Sequence, residues 1–184
     1  SGMWIRDRDL GPLRPCMPGR LFTRDGKVNL APRRYLQDLG RLHALLTAPP
    51  SDGLLLIGRR HVRSNNSWMH NSQRLIKGKG RFTVIVHPHD ALRLGVEEGA
   101  DVTVSGSAGS IRLPANISDD IMPGVISVPH GWGHDREGVQ LEIARSTQGS
   151  SVNDVIGTER VEAVTAMEQL NGIPVTLAPV PPCP

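Results

Sequence analysis

Six short apolar runs, each closed by glycine, proline or polar residues, limit how this chain can fold. They are "GLLLIG" from Gly53, "RFTVIVHP" from Arg81, "DVTVSGS" from Asp101, "GSIRLPANIS" from Gly109, "GVISVPHGWG" from Gly124 and "IPVTLAPV" from Ile173. All are too short for core helices and rich in β-branched residues, so they read as strands, and their spacing suits a barrel or sandwich. "GLLLIG" is continuous enough for a buried strand. "DVTVSGS" and "GSIRLPANIS" alternate around a tight Ser-Ala-Gly turn. Between the second and third runs, "HDALRLGV" predicts a short helix capped by His89 or Asp90 and closed by Gly95.

The first 50 residues have another character. Two short apolar runs flank Asp25-Gly26, a pair suited to a hairpin turn. From Pro32, Tyr35, Leu36, Leu39, Leu42, Leu45 and Leu46 recur at helical spacing, which predicts an amphipathic helix whose leucine stripe is core. The expected organisation is an arm over 1–50 followed by a mainly β domain over 51–184. Within that domain, "SSVNDVIGTERVEAVTAMEQLNG" reads as a partly helical loop wrapping the barrel, with Val161, Val164 and Met167 three apart.

Charge is unevenly divided. Residues 1–82 carry a net +11 and residues 83–184 a net −8, so phosphate belongs among the partners to be considered. No apolar run approaches the roughly 20 residues that span a bilayer, and cytoplasm is the default compartment. Ser1 and Gly2 ahead of Met3 have the look of a tag remnant. Cys16 and Cys183 form no C-x-x-C pair; a disulfide between them has no supporting pattern.

Aromatic residues make up only 3% of the chain, so their positions carry information. Trp68 lies in "GRRHVRSNNSWMHN" and Trp132 in "PHGWGH", both polar loops beyond strand ends, where binding sites are commonly built. Such rings either cap the barrel or stack beside a flat heterocycle, while Asn and Ser offer donors and acceptors to its edges. Arg59, Arg60 and Arg63 could hold a phosphate by forked hydrogen bonds, or form a solvated face. The paired histidines His87/His89 and His130/His134 lack a metal-binding motif, no nucleophile motif is present, and "GKGRF" reads as a basic turn. No self-contained catalytic constellation emerges.

The order of these segments resembles a known family. "SNNSWMHN", then "VHPHDALRLGVEEGADVTVSGSAGSIRLPANISDDIMPGVISVPHGWG", "SVNDVIG" and "LNGIPVTLAPV" resemble the C-terminal molybdopterin-dinucleotide-binding domain of the dimethyl sulfoxide reductase family of molybdenum and tungsten oxidoreductases. The resemblance covers about residues 52–180. It implies a six-stranded double-psi β-barrel, mainly β with short helices, preceded by a hairpin and helix arm. It also implies a bis(molybdopterin guanine dinucleotide) cofactor carrying Mo or W and shared with upstream domains of the same enzyme.

Carried over by position, Ser64, Asn66, Ser67, Trp68 and Asn71 match the first cofactor loop, with Arg59 and Arg60 at its entrance. His130, Gly131 and Trp132 match the second loop and Asn153 the third. Asp90, Gly95, Gly99 and Gly109 look structural. No catalytic residue and no metal ligand is implied, and the chain should not turn over substrate alone. The wording of "PHGWGH" and "NSWMHN" leans toward a formate dehydrogenase or nitrate reductase-like parent.

Two rivals remain at this level. One is a stand-alone barrel subunit that completes a cofactor site. The other, a basic nucleic-acid-binding domain, is disfavoured by the acidic second half and the scarcity of stacking aromatics.

Overall fold

The computed structural model describes residues 11–48 and 53–181, so Cys183 lies outside the described residues. The chain divides into two compact units, Ser1–Ala48 and Pro49–Pro184.

The first unit contains helix α1, Arg33–Thr47. The Asp25-Gly26 segment does turn: Gly26 N donates to the Thr23 carbonyl at 3.0 Å, with Gly26 at φ +63°. Its flanks, however, form no strand among the described residues, so the expected hairpin reduces to an isolated turn. Such a turn without a third strand or a partner face gives little pairing stability. The leucine stripe is likewise not core here. Tyr35, Leu36, Leu39, Leu42, Leu45 and Leu46 are all exposed and α1 buries no residue, because the described residues of this small unit form no second helix or strand to cover them.

The second unit is a closed six-stranded barrel, a double-psi β-barrel. Its strands are β1 (Leu54–Arg59), β2 (Val84–Val86), β3 (Asp101–Ser105), β4 (Ser110–Ile117), β5 (Val125–Pro129) and β6 (Ile173–Pro179). The order around the barrel is β1-β5-β2-β4-β3-β6. Two pairs are parallel: β1 with β5, setting Arg59 opposite Pro129, and β2 with β4. The other neighbours are antiparallel.

Alternation explains the core. Leu54 and Leu56, Val84 and Val86, Val102 and Val104, Ile111, Leu113 and Ala115, Ile126 and Val128, and Ile173, Val175 and Leu177 all point inward. The alternation overrides the look of "LLLIG", since Leu55 on the outer face is 43% exposed. Only β5 is buried on both faces, adding Ser127 and Pro129.

Three helices of the barrel unit precede the third loop: α2 (Gln73–Ile76), α3 (Pro88–Leu94) and α4 (Glu142–Arg145). The α3 cap differs from expectation. Pro88 occupies the first helical turn, so His87 becomes the N-cap and its Nδ1 accepts from His89 N at 3.1 Å. Asp90 is instead buried inside the helix, where Oδ2 accepts from Gly124 N at 2.6 Å and Oδ1 from Arg93 Nη2 at 3.1 Å. Gly95 ends the helix at φ +67°.

The wrapping segment is not an α-helix. It begins as a 3-10 turn, Val152–Asp154, buries Val152, Val155 and Ile156 against the barrel, then pairs Val161 with Glu168 in a single antiparallel bridge. Val161 and Met167 remain exposed, so their spacing of three marks no buried face.

Candidate functional site

Parallel pairing of β1 with β5 sends the loops that follow them out of the same end of the barrel. These are the loops flagged by Trp68 and Trp132. Backbone geometry holds them together. Gly131 has φ +85°, and a Cβ there would lie 2.4 Å from the Asn66 carbonyl oxygen. Gly133, at φ +94°, approaches the third loop in the same way, with a Cβ position 2.9 Å from Ser151 N. Glycine is required at both positions because the three loops are packed backbone to backbone.

The asparagines serve this packing. Asn65 and Asn66 adopt φ +40° and +68°, a region Asn tolerates better than most residues, and they close a set of turns from His61 to Ser72. Asn71 is a fastener: its Oδ1 accepts from Ile143 N at 3.1 Å and Ala144 N at 3.2 Å, tying the first loop to α4. Ser64 is buried, Ser67 half-buried, and Trp68 stands 82% exposed at the loop surface.

Trp132 behaves differently from Trp68. It is 8% exposed and packs on His70, with ring centroids 4.4 Å apart, and on Phe82 at 5.6 Å. His70 in turn meets His134 through an Nδ1···Nε2 contact of 2.8 Å. This group forms a small second core beneath the loops. Burial, followed by the neighbouring His134 and Arg81 charges, lowers the His70 pKa to about 4, so its ring is neutral at pH 7.

Two of the hollows at this end of the barrel share His130. A cavity of about 380 Å³ is bordered by Arg59, His61, Ser64, Lys79, Arg81 and His130, with Trp132 as part of its wall. A smaller cleft of about 150 Å³ gathers Arg60, His130, Asn153 and Asn171. Burial, then the adjacent Arg60, lowers the His130 pKa, which favours the neutral ring.

Arg59 is largely committed to the scaffold. Its Nη1 donates to the Ser127 carbonyl at 3.2 Å, and its Nη2 to the carbonyls of Thr83 at 2.8 Å and Arg81 at 3.4 Å. It therefore closes the barrel end between β1, β5 and the approach to β2. Arg60 is exposed and borders the smaller cleft.

Cations outnumber carboxylates around the larger of these two hollows, where Arg59, Lys79 and Arg81 face the single Glu98. Among the described residues, three buried side-chain nitrogens have no hydrogen-bond partner: His70 Nε2, Arg81 Nη2 and His130 Nε2. The one carboxylate bordering the larger cavity, Glu98, is occupied by Ile117 N at 2.5 Å. A basic pocket with an unpaired guanidinium nitrogen at Arg81, walled by an aromatic ring, fits a phosphorylated heterocycle. Among the described residues no group of three or more His, Cys, Asp or Glu is placed to hold a metal ion.

Several contributors escaped the sequence reading: His70, His134, Phe82, Asn171, Lys79 and Arg81. One signal was present. Between Asp52 and Asp90 the chain has seven Lys or Arg residues and no carboxylate.

Residues 54–174 match the family model described as the molydopterin dinucleotide binding domain. The chain is 29% identical over 132 residues to "Probable oxidoreductase YoaE" of Bacillus subtilis (strain 168), covering 70% of this chain and 19% of that protein. It is 30% identical over 91 residues to a putative dimethyl sulfoxide reductase of Halobacterium salinarum, covering 46% of this chain and 10% of that one. Among solved structures, "Acetylene Hydratase from Pelobacter acetylenicus" superposes with a TM-score of 0.58 at 21% identity, covering 68% of this chain and 18% of that chain, a likeness of fold. The chain thus spans about a fifth or less of the length of these curated relatives.

Proposed function

Because the chain belongs to the molydopterin dinucleotide binding domain family, we propose that it closes one side of a bis(molybdopterin guanine dinucleotide) site in a larger molybdenum or tungsten oxidoreductase. Family membership implies the cofactor. The residues at the barrel end fit it, and the observation that carries the reading is a cavity bordered by Arg81 and His130, each with a buried side-chain nitrogen that has no partner, beside a committed carboxylate.

The cofactor would supply the redox chemistry. The protein's part is to bind and orient. Ser64 and neutral His130 offer hydrogen bonds inside the larger cavity, while Arg60 and Asn153 face the smaller cleft beside His130. Trp132 and Phe82 keep water from the underside of the loops, and Trp68 presents an open ring for stacking. Asn66, Asn71 and Gly131 act one step back, by fixing the loops that carry these groups.

Upstream domains of the same polypeptide are the proposed partners, and the cytoplasm is the proposed compartment. No helix among the described residues is long and apolar enough to cross a membrane. A formate dehydrogenase or nitrate reductase-like parent rests on the wording of two loops alone, whereas the Halobacterium relative is named for dimethyl sulfoxide. We therefore assign no substrate.

The test is to isolate the natural protein and measure molybdenum, tungsten, pterin and the GMP released by hydrolysis. Stoichiometric metal with both pterin and GMP is expected. Protein carrying none of the three would overturn the reading.

A further inference from the structure

The segment between α2 and β2, "KGKGR" over Lys77–Arg81, has no regular structure and lies outside the three loops matched by resemblance. It is nevertheless held in place. Arg81 Nη1 donates to the Leu75 carbonyl at 3.0 Å, and the Arg81 carbonyl accepts from Arg59. Lys79, Gly80 and Arg81 border the 380 Å³ cavity and also an adjoining one of about 530 Å³, which ends at Ser146, Thr147 and Gln148. The strap therefore lies where two hollows meet.

Its chemistry is one-sided. Arg81 keeps one nitrogen on the protein backbone, while the other, Nη2, is buried without an acceptor. Lys79 is exposed at the rim, and Gly80 leaves the backbone between them open, with nothing near its Cβ position. Burial, followed by the charge of Arg63, disfavours the Arg81 cation, yet a guanidinium stays protonated. An anion beside it would remove that cost. Arg59, the other guanidinium on the cavity, is already engaged by carbonyl oxygens.

We propose that Lys79 and Arg81 form a phosphate-holding strap that takes a pyrophosphate group at the junction of the two cavities, Arg81 through its unpaired Nη2 and Lys79 as a point charge. Within the proposed function this group is the diphosphate bridge of the dinucleotide, and the assignment of that bridge rests on that reading. Arg59 is then a positioning residue for the strap and does not clamp phosphate.

The experiment titrates the intact apoprotein with inorganic pyrophosphate and orthophosphate by calorimetry, comparing wild type with Lys79→Gln, Arg81→Gln and Arg81→Lys. Losing a charged hydrogen bond lowers affinity about tenfold or more. Pyrophosphate should weaken by that factor in both Gln variants and partly recover in Arg81→Lys, with orthophosphate affected less. Lys79 is exposed, so its variant keeps the test decisive should Arg81→Gln unfold. Unchanged pyrophosphate affinity in Lys79→Gln and in any folded Arg81 variant, or no binding by wild type, would overturn the strap. Metal, pterin and GMP content of the natural protein is a separate readout, so loss of the cofactor reading and loss of the strap are distinguishable.

Discussion

Replacing Gly131 by alanine tests whether backbone contact between the first two loops organises the site. The substitution carries two penalties. At φ +85° the new side chain occupies a conformation that costs an L-residue about 1–2 kcal/mol. In addition its Cβ would stand 2.4 Å from the Asn66 carbonyl oxygen and 2.9 Å from the carbonyl carbon, so backbone must move, at a cost typical of overpacking, roughly 1–3 kcal/mol. Gly138 supplies the control: its φ of +86° is nearly identical, but its Cβ position meets nothing within 4 Å. Gly138→Ala should lose only the conformational part, leaving Gly131→Ala about 1–3 kcal/mol less stable than the control. Urea unfolding of both variants measures the difference. If the loops part locally, the excess appears as faster amide exchange over residues 61–70 in Gly131→Ala alone. Equal unfolding free energies together with equal exchange in the two variants would refute the close-packed loop arrangement.

Lowering the pH should weaken the folded barrel through His70. Its folded pKa of about 4 lies below the ordinary 6.5, so between those values the unfolded chain binds more protons; the contribution is complete above about pH 6.5 and falls away toward pH 4, by roughly 2–3 kcal/mol. A His70→Gln variant should have a flatter stability profile over that window, and parallel profiles would contradict the assignment. Arg59→Lys should destabilise the barrel by about 1–3 kcal/mol in thermal unfolding, since one ammonium cannot span the carbonyls of Ser127 and Thr83 that the guanidinium reaches. Trp68→Ala should leave the melting temperature unchanged, given its exposure, but lower pterin retention in the parent enzyme; full retention would remove Trp68 from the site.

The barrel was legible because strand burial has a period of two that sequence displays directly, and all six apolar runs became strands. Features decided by partners elsewhere in the chain were not. The α1 stripe has helical period, yet periodicity cannot say whether anything covers the face, and among the described residues of its unit nothing does. The two tryptophans read alike as loop residues, but Trp132 found Phe82 and His70 to pack on, and Trp68 stayed exposed. Asn71 looked like a ligand, although a side-chain amide two residues before α2 can equally reach the start of α4, some seventy residues on.

The same limit explains the arginines, and shows what charge can tell. Seven cations without a carboxylate between Asp52 and Asp90 make this stretch basic, a charge that suits an anionic partner such as the proposed one. They could not foretell which cation would be free. A guanidinium at a strand end can reach the carbonyls of neighbouring strands, and Arg59, opposite Pro129 in the β1–β5 register, meets those of Ser127 and Thr83. Arg81 precedes its strand, satisfies one carbonyl and retains a buried unpaired nitrogen. Position relative to the sheet thus divides the basic residues into those that close the barrel and those left to meet an anion, and the division follows from backbone hydrogen bonding that composition does not record.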